Sequence, residues 1–192
     1  MATKPELPIK TFATAASWEA WLSKQHASSA GLWLKIAKKD TGIASVNYAE
    51  ALDAALSYGW IDGQKKSFDE EYFLQKFTPR RPRSLWSKRN IEHVARLTAA
   101  GKMRAPGLAE VEAAKRDGRF DAAYDPQSEM AVPEDFLEAL EGNARAKATF
   151  QSLNRANLFA IAWRLQTAKK EETRMRRFET LLAMLEKGET LH

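Results

Sequence analysis

Residues 32–39 read Leu-Trp-Leu-Lys-Ile-Ala-Lys-Lys, and Leu32, Leu34 and Ile36 alternate with Trp33, Lys35 and Ala37. A period of two puts one apolar row on a single face, so this segment predicts a half-buried strand. Residues 72–77, Tyr-Phe-Leu-Gln-Lys-Phe, predict a second, and a third short strand is expected near residues 61–68. Ahead of them, Thr14 or Ser17 opens a helix with Trp18, Trp21, Leu22 and Gln25 on one face, ended by Ser28, Ser29 and Gly31. Asn47 followed three residues later by Glu50 has the form of a capping box for a helix that runs to Tyr58 and stops at Gly59. Residues 60–63, Trp-Ile-Asp-Gly, then read as a tight connection. From residue 84 the apolar spacing becomes helical, predicting helices over 87–100, 106–117, 133–140, 144–153, 156–167 and 170–187, four of them stopped by Gly101, Gly118, Gly142 and Gly188.

These elements predict an α+β fold. A small antiparallel or mixed sheet, with residues 32–38 beside 72–78, occupies the N-terminal half and is packed by helices, and the C-terminal half is mostly helical. The expected organisation is an α+β region at 1–128 and a helical region at 129–192, packed as one fold unit. Residues 120–132 serve as hinge or linker, and residues 1–8 are a loose leader with two prolines.

Composition narrows the chemistry. The 192 residues are 44% hydrophobic and 29% charged, with six Trp and nine Phe, which is the make-up of a packed globular protein. Lys and Arg exceed Asp and Glu by 30 to 25, a net charge of +5 that favours nucleic acid, phosphorylated metabolites or an acidic membrane surface as partners. The absence of cysteine removes disulfides, thiolate metal sites and cysteine nucleophiles. No basic start followed by an apolar run marks a secretory signal, and the longest apolar run, residues 158–163, is far short of a transmembrane segment. The expected compartment is the cytoplasm. There is no glycine-rich phosphate loop, dinucleotide fingerprint, nucleophile elbow or His-Glu-x-x-His, and His26, His93 and His192 have no ligand spacing. No metal and no cofactor are expected.

Charge concentrates in residues 78–90, Thr-Pro-Arg-Arg-Pro-Arg-Ser-Leu-Trp-Ser-Lys-Arg-Asn, where Arg80, Arg81, Arg83, Lys88 and Arg89 stand without an acid. Pro79 and Pro82 stiffen the backbone that presents Arg80 and Arg83. Ser84, Ser87 and Asn90 are each able to cap the helix that follows, whose free N–H groups and positive dipole end face the same space as the arginines. The stretch therefore reads as an anion site, gripped by Arg80, Arg83, Ser84, Ser87 and Asn90. Trp60 and Trp86, core aromatics on a first reading, become candidate ligand walls beside arginines. Asp62 is placed to orient an arginine, with turn closure or an ion pair preferred over catalysis. His93 on the following helix is expected to face solvent, with proton donation as the rival reading. The mixed-sign run at residues 169–177 reads as a solvated amphipathic helix, with Met175, Phe178, Leu182 and Leu185 as its buried stripe.

Three motifs in order, Gly59-Trp60-Ile61-Asp62-Gly63, residues 77–90 and Ala168-Lys169-Lys170-Glu171-Glu172-Thr173-Arg174, resemble the bacterial YdeI/OmpD-associated family, also named the bacteriocin-protection family. The likeness extends over nearly all of the chain. One departure is Ser57, where a family member often carries cysteine. The resemblance implies a cytoplasmic or envelope-linked protein tied to resistance to cationic antimicrobial peptides or bacteriocins, sometimes through an outer-membrane porin, and it carries over no catalytic residues. The leading expectation is a non-enzymatic stress or resistance factor binding an anionic small molecule or protein partner. An enzyme acting on a phosphorylated small molecule, with Asp62 or His93 as acid or base, stands as the alternative. Nucleic-acid binding, suggested by the charge and the Trp/Arg interleaving, is not favoured because no recognised module supports it.

Overall fold

The computed structural model describes residues 6–126 and 129–192. Residues 1–5 of the expected leader and 127–128 of the expected hinge lie outside the described residues. The chain divides into two compact units, Met1–Ala123 and Tyr124–His192.

The first unit is built on a four-stranded mixed sheet in the order β1-β2-β4-β3. Its strands are β1 (Ile9–Thr11), β2 (Leu32–Ala37), β3 (Trp60–Ser67) and β4 (Tyr72–Pro79). β1 runs parallel to β2, with Ile9 opposite Trp33, while β2 and β3 both run antiparallel to β4. The expected neighbours are thus paired, Leu32 standing opposite Phe77 and Ile36 opposite Phe73. β3 and β4 form a hairpin whose turn is closed by Asp69, Oδ1 of which accepts from the backbone N–H groups of Glu71 and Tyr72 at 2.9 and 2.7 Å.

Leu32, Leu34, Ile36 and Phe77 form the buried row of the sheet, in one core with Trp18 and Leu22 of α1 (Ala15–Gln25) and Ala51, Leu52, Ala55 and Leu56 of α2 (Tyr48–Ser57). α2 begins at the expected capping box of Asn47 and Glu50, and of the two expected openers of α1, Thr14 is the cap, with Ser17 completing a capping box of its own. Trp18 and Trp21 stack at 5.4 Å between ring centroids, and Trp60 meets both edge-on. The two buried indoles of this cluster have their N–H groups satisfied, Trp18 donating to the Ala51 carbonyl at 3.1 Å and Trp60 to the His26 carbonyl at 3.0 Å.

α3 (Lys88–Ala99) and α4 (Ala105–Arg116) complete the unit. α4 crosses the end of α2 at Gly107, where an added Cβ would collide with the Ser57 carbonyl oxygen and lie 2.7 Å from that of Leu56, so only glycine permits this approach. Gly59 ends α2 at φ +74° and lets the chain turn directly into β3.

In the second unit, α5 (Glu134–Glu141), α6 (Ala144–Gln151), α7 (Arg155–Gln166) and α8 (Glu171–Glu186) enclose Phe136, Leu140, Ile161, Leu165, Leu181 and Leu185. Asn143 and Asn154 cap α6 and α7. Arg174 Nη2 bridges α8 to both carboxylate oxygens of Asp135 on α5, at 2.8 and 2.7 Å. Phe178 packs edge-to-face on Phe136 in this core, whereas Met175 of the expected stripe is exposed.

Two expectations are corrected. Residues 60–63 do not form a tight connection, because they open β3, and the register shift lies between Asp62 and Lys65, where Gly63 and Gln64 together face Lys76, one residue more than the partner strand has, as in a bulge. β1 has no counterpart among the expected strands, since three residues are too few to show a period.

Candidate functional site

β4 runs through Pro79, opposite Trp60, and the Arg80 N–H still bonds the Gly59 carbonyl at 3.0 Å. Arg80 is 6% exposed. Its guanidinium carbon lies 3.5 Å from the centroid of the Trp86 ring, and Nη1 donates to the Leu85 carbonyl at 3.2 Å. A guanidinium on an indole face inside the fold is a strong cation–π contact, so Arg80 and Trp86 together hold the loop between them. Trp86 Nε1 is buried with no hydrogen-bond partner among the described residues.

Residues 81–84 make a turn. The Ser84 N–H donates to the Arg81 carbonyl at 2.9 Å, Pro82 occupies the second position, and Arg83 occupies the third at φ +70°. Proline second and positive φ third is the pattern of a type II turn, which asks for glycine or asparagine where this chain has arginine. Ser84 locks the turn again through Oγ, which accepts from the Arg81 N–H at 3.0 Å. From beneath, the buried Arg119 donates to the Ser84 carbonyl at 2.9 Å while its Nε meets both oxygens of Asp117 at 2.8 Å. Ser87, among the three possible caps, is the one used, its Oγ accepting the Asn90 N–H at 3.2 Å, and Asn90 is buried on the first turn of α3.

The expected site residues therefore separate. Arg80, Ser84, Trp86 and Ser87 are engaged with the loop and the helix start, and Trp60 belongs to the aromatic core. Arg83 is exposed, together with Arg81 and Arg89. Arg119 was not visible to sequence reasoning, for it lies 35 residues from the carbonyl it supports.

Asp62 points from β3 to α2, where Oδ2 accepts from the Tyr48 hydroxyl at 2.7 Å. Burial pushes the Tyr48 hydroxyl well above its ordinary pKa, the Asp62 charge and hydrogen bond add to this, and the Arg89 charge offsets part of it. Arg89, at the start of α3, is thus within electrostatic reach of the Tyr48–Asp62 pair. His93 is half-buried instead of facing solvent, with Nδ1 2.9 Å from Asp53 Oδ1 on α2. Arg96 Nη2 bonds both oxygens of Asp53 at 2.6 and 2.8 Å. Burial raises the Asp53 pKa, but the hydrogen bonds and charges of Arg96 and His93 outweigh it and hold the carboxyl below its usual range. His93 and Arg96 stand three apart on one helix, a signal that sequence carries, but their partner Asp53 is 40 residues away from His93. Among the described residues, no group of three or more His, Asp or Glu is arranged to hold a metal ion.

Residues 10–110 match the family described as Domain of unknown function (DUF8412), and residues 129–188 match the family described as Bacteriocin-protection, YdeI or OmpD-Associated. The family resemblance read from the motifs holds for the C-terminal segment, where Ala168 to Arg174 lies, whereas the motifs at residues 59–63 and 77–90 fall in the other match. No curated protein and no solved structure matches the chain.

Proposed function

The chain belongs to the family described as Domain of unknown function (DUF8412), and on that premise we propose that it is a non-enzymatic binding factor for an anionic ligand or partner. The observation that carries the reading is Arg83, exposed and held at φ +70° in a turn built by two buried arginines. A left-handed conformation costs a residue with a Cβ about 1–2 kcal/mol, and backbone strain of this kind gathers at ligand-binding positions. Arg81, Arg83 and Arg89 supply the exposed charge beside the Ser87-capped start of α3, where the positive end of the helix dipole also favours an anion. Arg80, Arg119, Ser84 and Trp86 hold this arrangement, and Asp62 with Tyr48 sets the negative counter-charge near Arg89. The C-terminal match to a family named for bacteriocin protection and OmpD association supports a resistance role, with an outer-membrane porin as one protein partner. Among the described residues no helix is long and apolar enough to cross a membrane.

Thermal-shift titration tests the reading, with inorganic phosphate, pyrophosphate, nucleotides, sugar phosphates and lipopolysaccharide fragments as probes. A ligand at 100 times its Kd stabilises the native state by about 2.7 kcal/mol, which a melting curve resolves. One class of probe is expected to shift the wild type and to leave Arg81→Ala/Arg83→Ala unmoved. Equal shifts in both proteins, or none with any probe, would refute the assignment.

A second reading rests on the Asp53–His93 pair, since a carboxylate on Nδ1 orients an imidazole for proton transfer through Nε2. It requires turnover of a phosphorylated small molecule that His93→Gln abolishes in a folded protein.

A further inference from the structure

The sheet face turned away from Leu32, Leu34 and Ile36 carries a charge pattern that the loop site does not use. In the ladder Lys66 stands opposite Leu74, and Leu74 stands opposite Lys35, so two lysines flank one leucine across three strands. Trp33 stands opposite Lys76 on the same face. The lysines lie on rings: Lys66 and Lys76 have Nζ 4.2 and 5.7 Å from the Trp33 centroid, and Lys35 has Nζ 3.9 Å from Tyr72 and 4.5 Å from Phe68. Trp33 and Leu74 are 9% and 2% exposed, while Phe68, in the hairpin turn beside Lys35, is 46% exposed. The four strands hold five lysines and a single acid, Asp62, which lies on the helix-bearing face with Tyr48. At the margin of the lysine face, Asp69 stands 3.9 Å from Lys35.

We propose that this sheet face binds single-stranded nucleic acid, with phosphates on Lys35, Lys66 and Lys76 and bases on Phe68 and Tyr72. Strand geometry sets Lys35 and Lys66 about 10 Å apart and puts Lys76 about 7 Å along the sheet from the row they define, a flat array over which a flexible polyanion can run. An ammonium held on a ring face can yield that face to a base and move onto the adjoining phosphate, which joins the two contacts that sequence-tolerant single-strand binding combines. A membrane surface fits less well, because the apolar centre, Trp33 and Leu74, is buried and the exposed apolar side chains Ile9 and Phe68 stand apart at the margins of the face.

The test is fluorescence anisotropy with short labelled oligothymidylate and oligouridylate over a salt series. For single strands log K falls with log salt by about 0.7 per phosphate engaged, so three lysines give a slope near −2. Lys35→Gln/Lys66→Gln/Lys76→Gln should bring that slope close to zero and weaken low-salt binding about tenfold or more, with the fold checked by circular dichroism. Lys66→Gln alone should reduce the slope by about 0.7, which covers the case of a triple variant that does not fold. Phe68→Ala should lower affinity several-fold without changing the slope. Four results would each overturn the proposal: no oligonucleotide binding, a salt slope indifferent to the lysines, loss in the Arg81/Arg83 variant instead, or lysine-dependent binding to anionic lipid vesicles without binding to oligonucleotides.

Discussion

Arg83→Gly separates what the turn costs from what it is for. At φ +70° the arginine bears about 1–2 kcal/mol of left-handed strain that glycine does not feel. Glycine brings its own cost, about 0.5–1 kcal/mol of extra chain entropy lost on folding. The balance is a stabilisation of about 0.5–1 kcal/mol, or some 1–4 °C in Tm for a chain of this size. Nothing else at the turn should change, since the Ser84 N–H to Arg81 carbonyl bond and the Arg119 bond to the Ser84 carbonyl are made by groups the substitution leaves alone. Anion affinity should move the other way, because a lost charge-assisted bond is worth about 1.5–3 kcal/mol and weakens binding at least tenfold. Paired urea melts and phosphate or pyrophosphate titrations read both quantities on one preparation. Arg83→Lys is the control, retaining charge and strain and therefore near-wild-type stability with partial affinity. The reasoning fails if Arg83→Gly is less stable than wild type, or if it is more stable and binds the anion as well.

Arg80→Ala should behave as a fold variant, losing about 2–3 kcal/mol in a denaturant melt through the Trp86 stack and the Leu85 bond; a change in ligand affinity with stability intact would contradict this. Gly107→Ala should cost about 1–3 kcal/mol, since the added methyl drives α4 off the Leu56 and Ser57 carbonyls, and it should shift the urea midpoint of the first unit. Asp53 has a folded pKa below its unfolded one, so its stabilisation is present above about pH 4 and is lost as pH falls through the folded value. Asp53→Asn should therefore lower stability at neutral pH and flatten the acid limb of the stability profile below about pH 4, and an unchanged acid limb would show that the Arg96 and His93 bonds contribute nothing.

Where a local pattern settles a structure, sequence reading reached it. Leu32, Leu34 and Ile36 mark a strand by alternation, Asn47 and Glu50 mark a helix start, and the glycines after α3, α4 and α8 end those helices at the residues expected. Gly63 was misread because glycine in a strand and glycine in a turn leave the same trace, and only the pairing with β4 shows the bulge. The three residues of β1 are held by β2 and have no pattern of their own. The lysine face needed cross-strand neighbours, since Lys66 and Lys35 are 31 positions apart and meet only through Leu74.

The basic stretch shows why charge density alone cannot name a binding residue. Arg80 and Arg83 are three positions apart, each directly after a proline, and both look equally placed to hold an anion. The last strand pairing carries Arg80 inward, however, and a buried guanidinium needs partners, which Trp86 and the Leu85 carbonyl supply. Once those partners fix the loop, the turn that closes it places Arg83 where its side chain faces water and its backbone is strained. The two arginines thus depend on each other in one direction: Arg80 can hold the loop with any residue at the turn, while Arg83 can present its charge only on a loop that Arg80 holds. Loss of Arg80 should then weaken anion binding together with stability, whereas loss of Arg83 should weaken anion binding with no loss of stability.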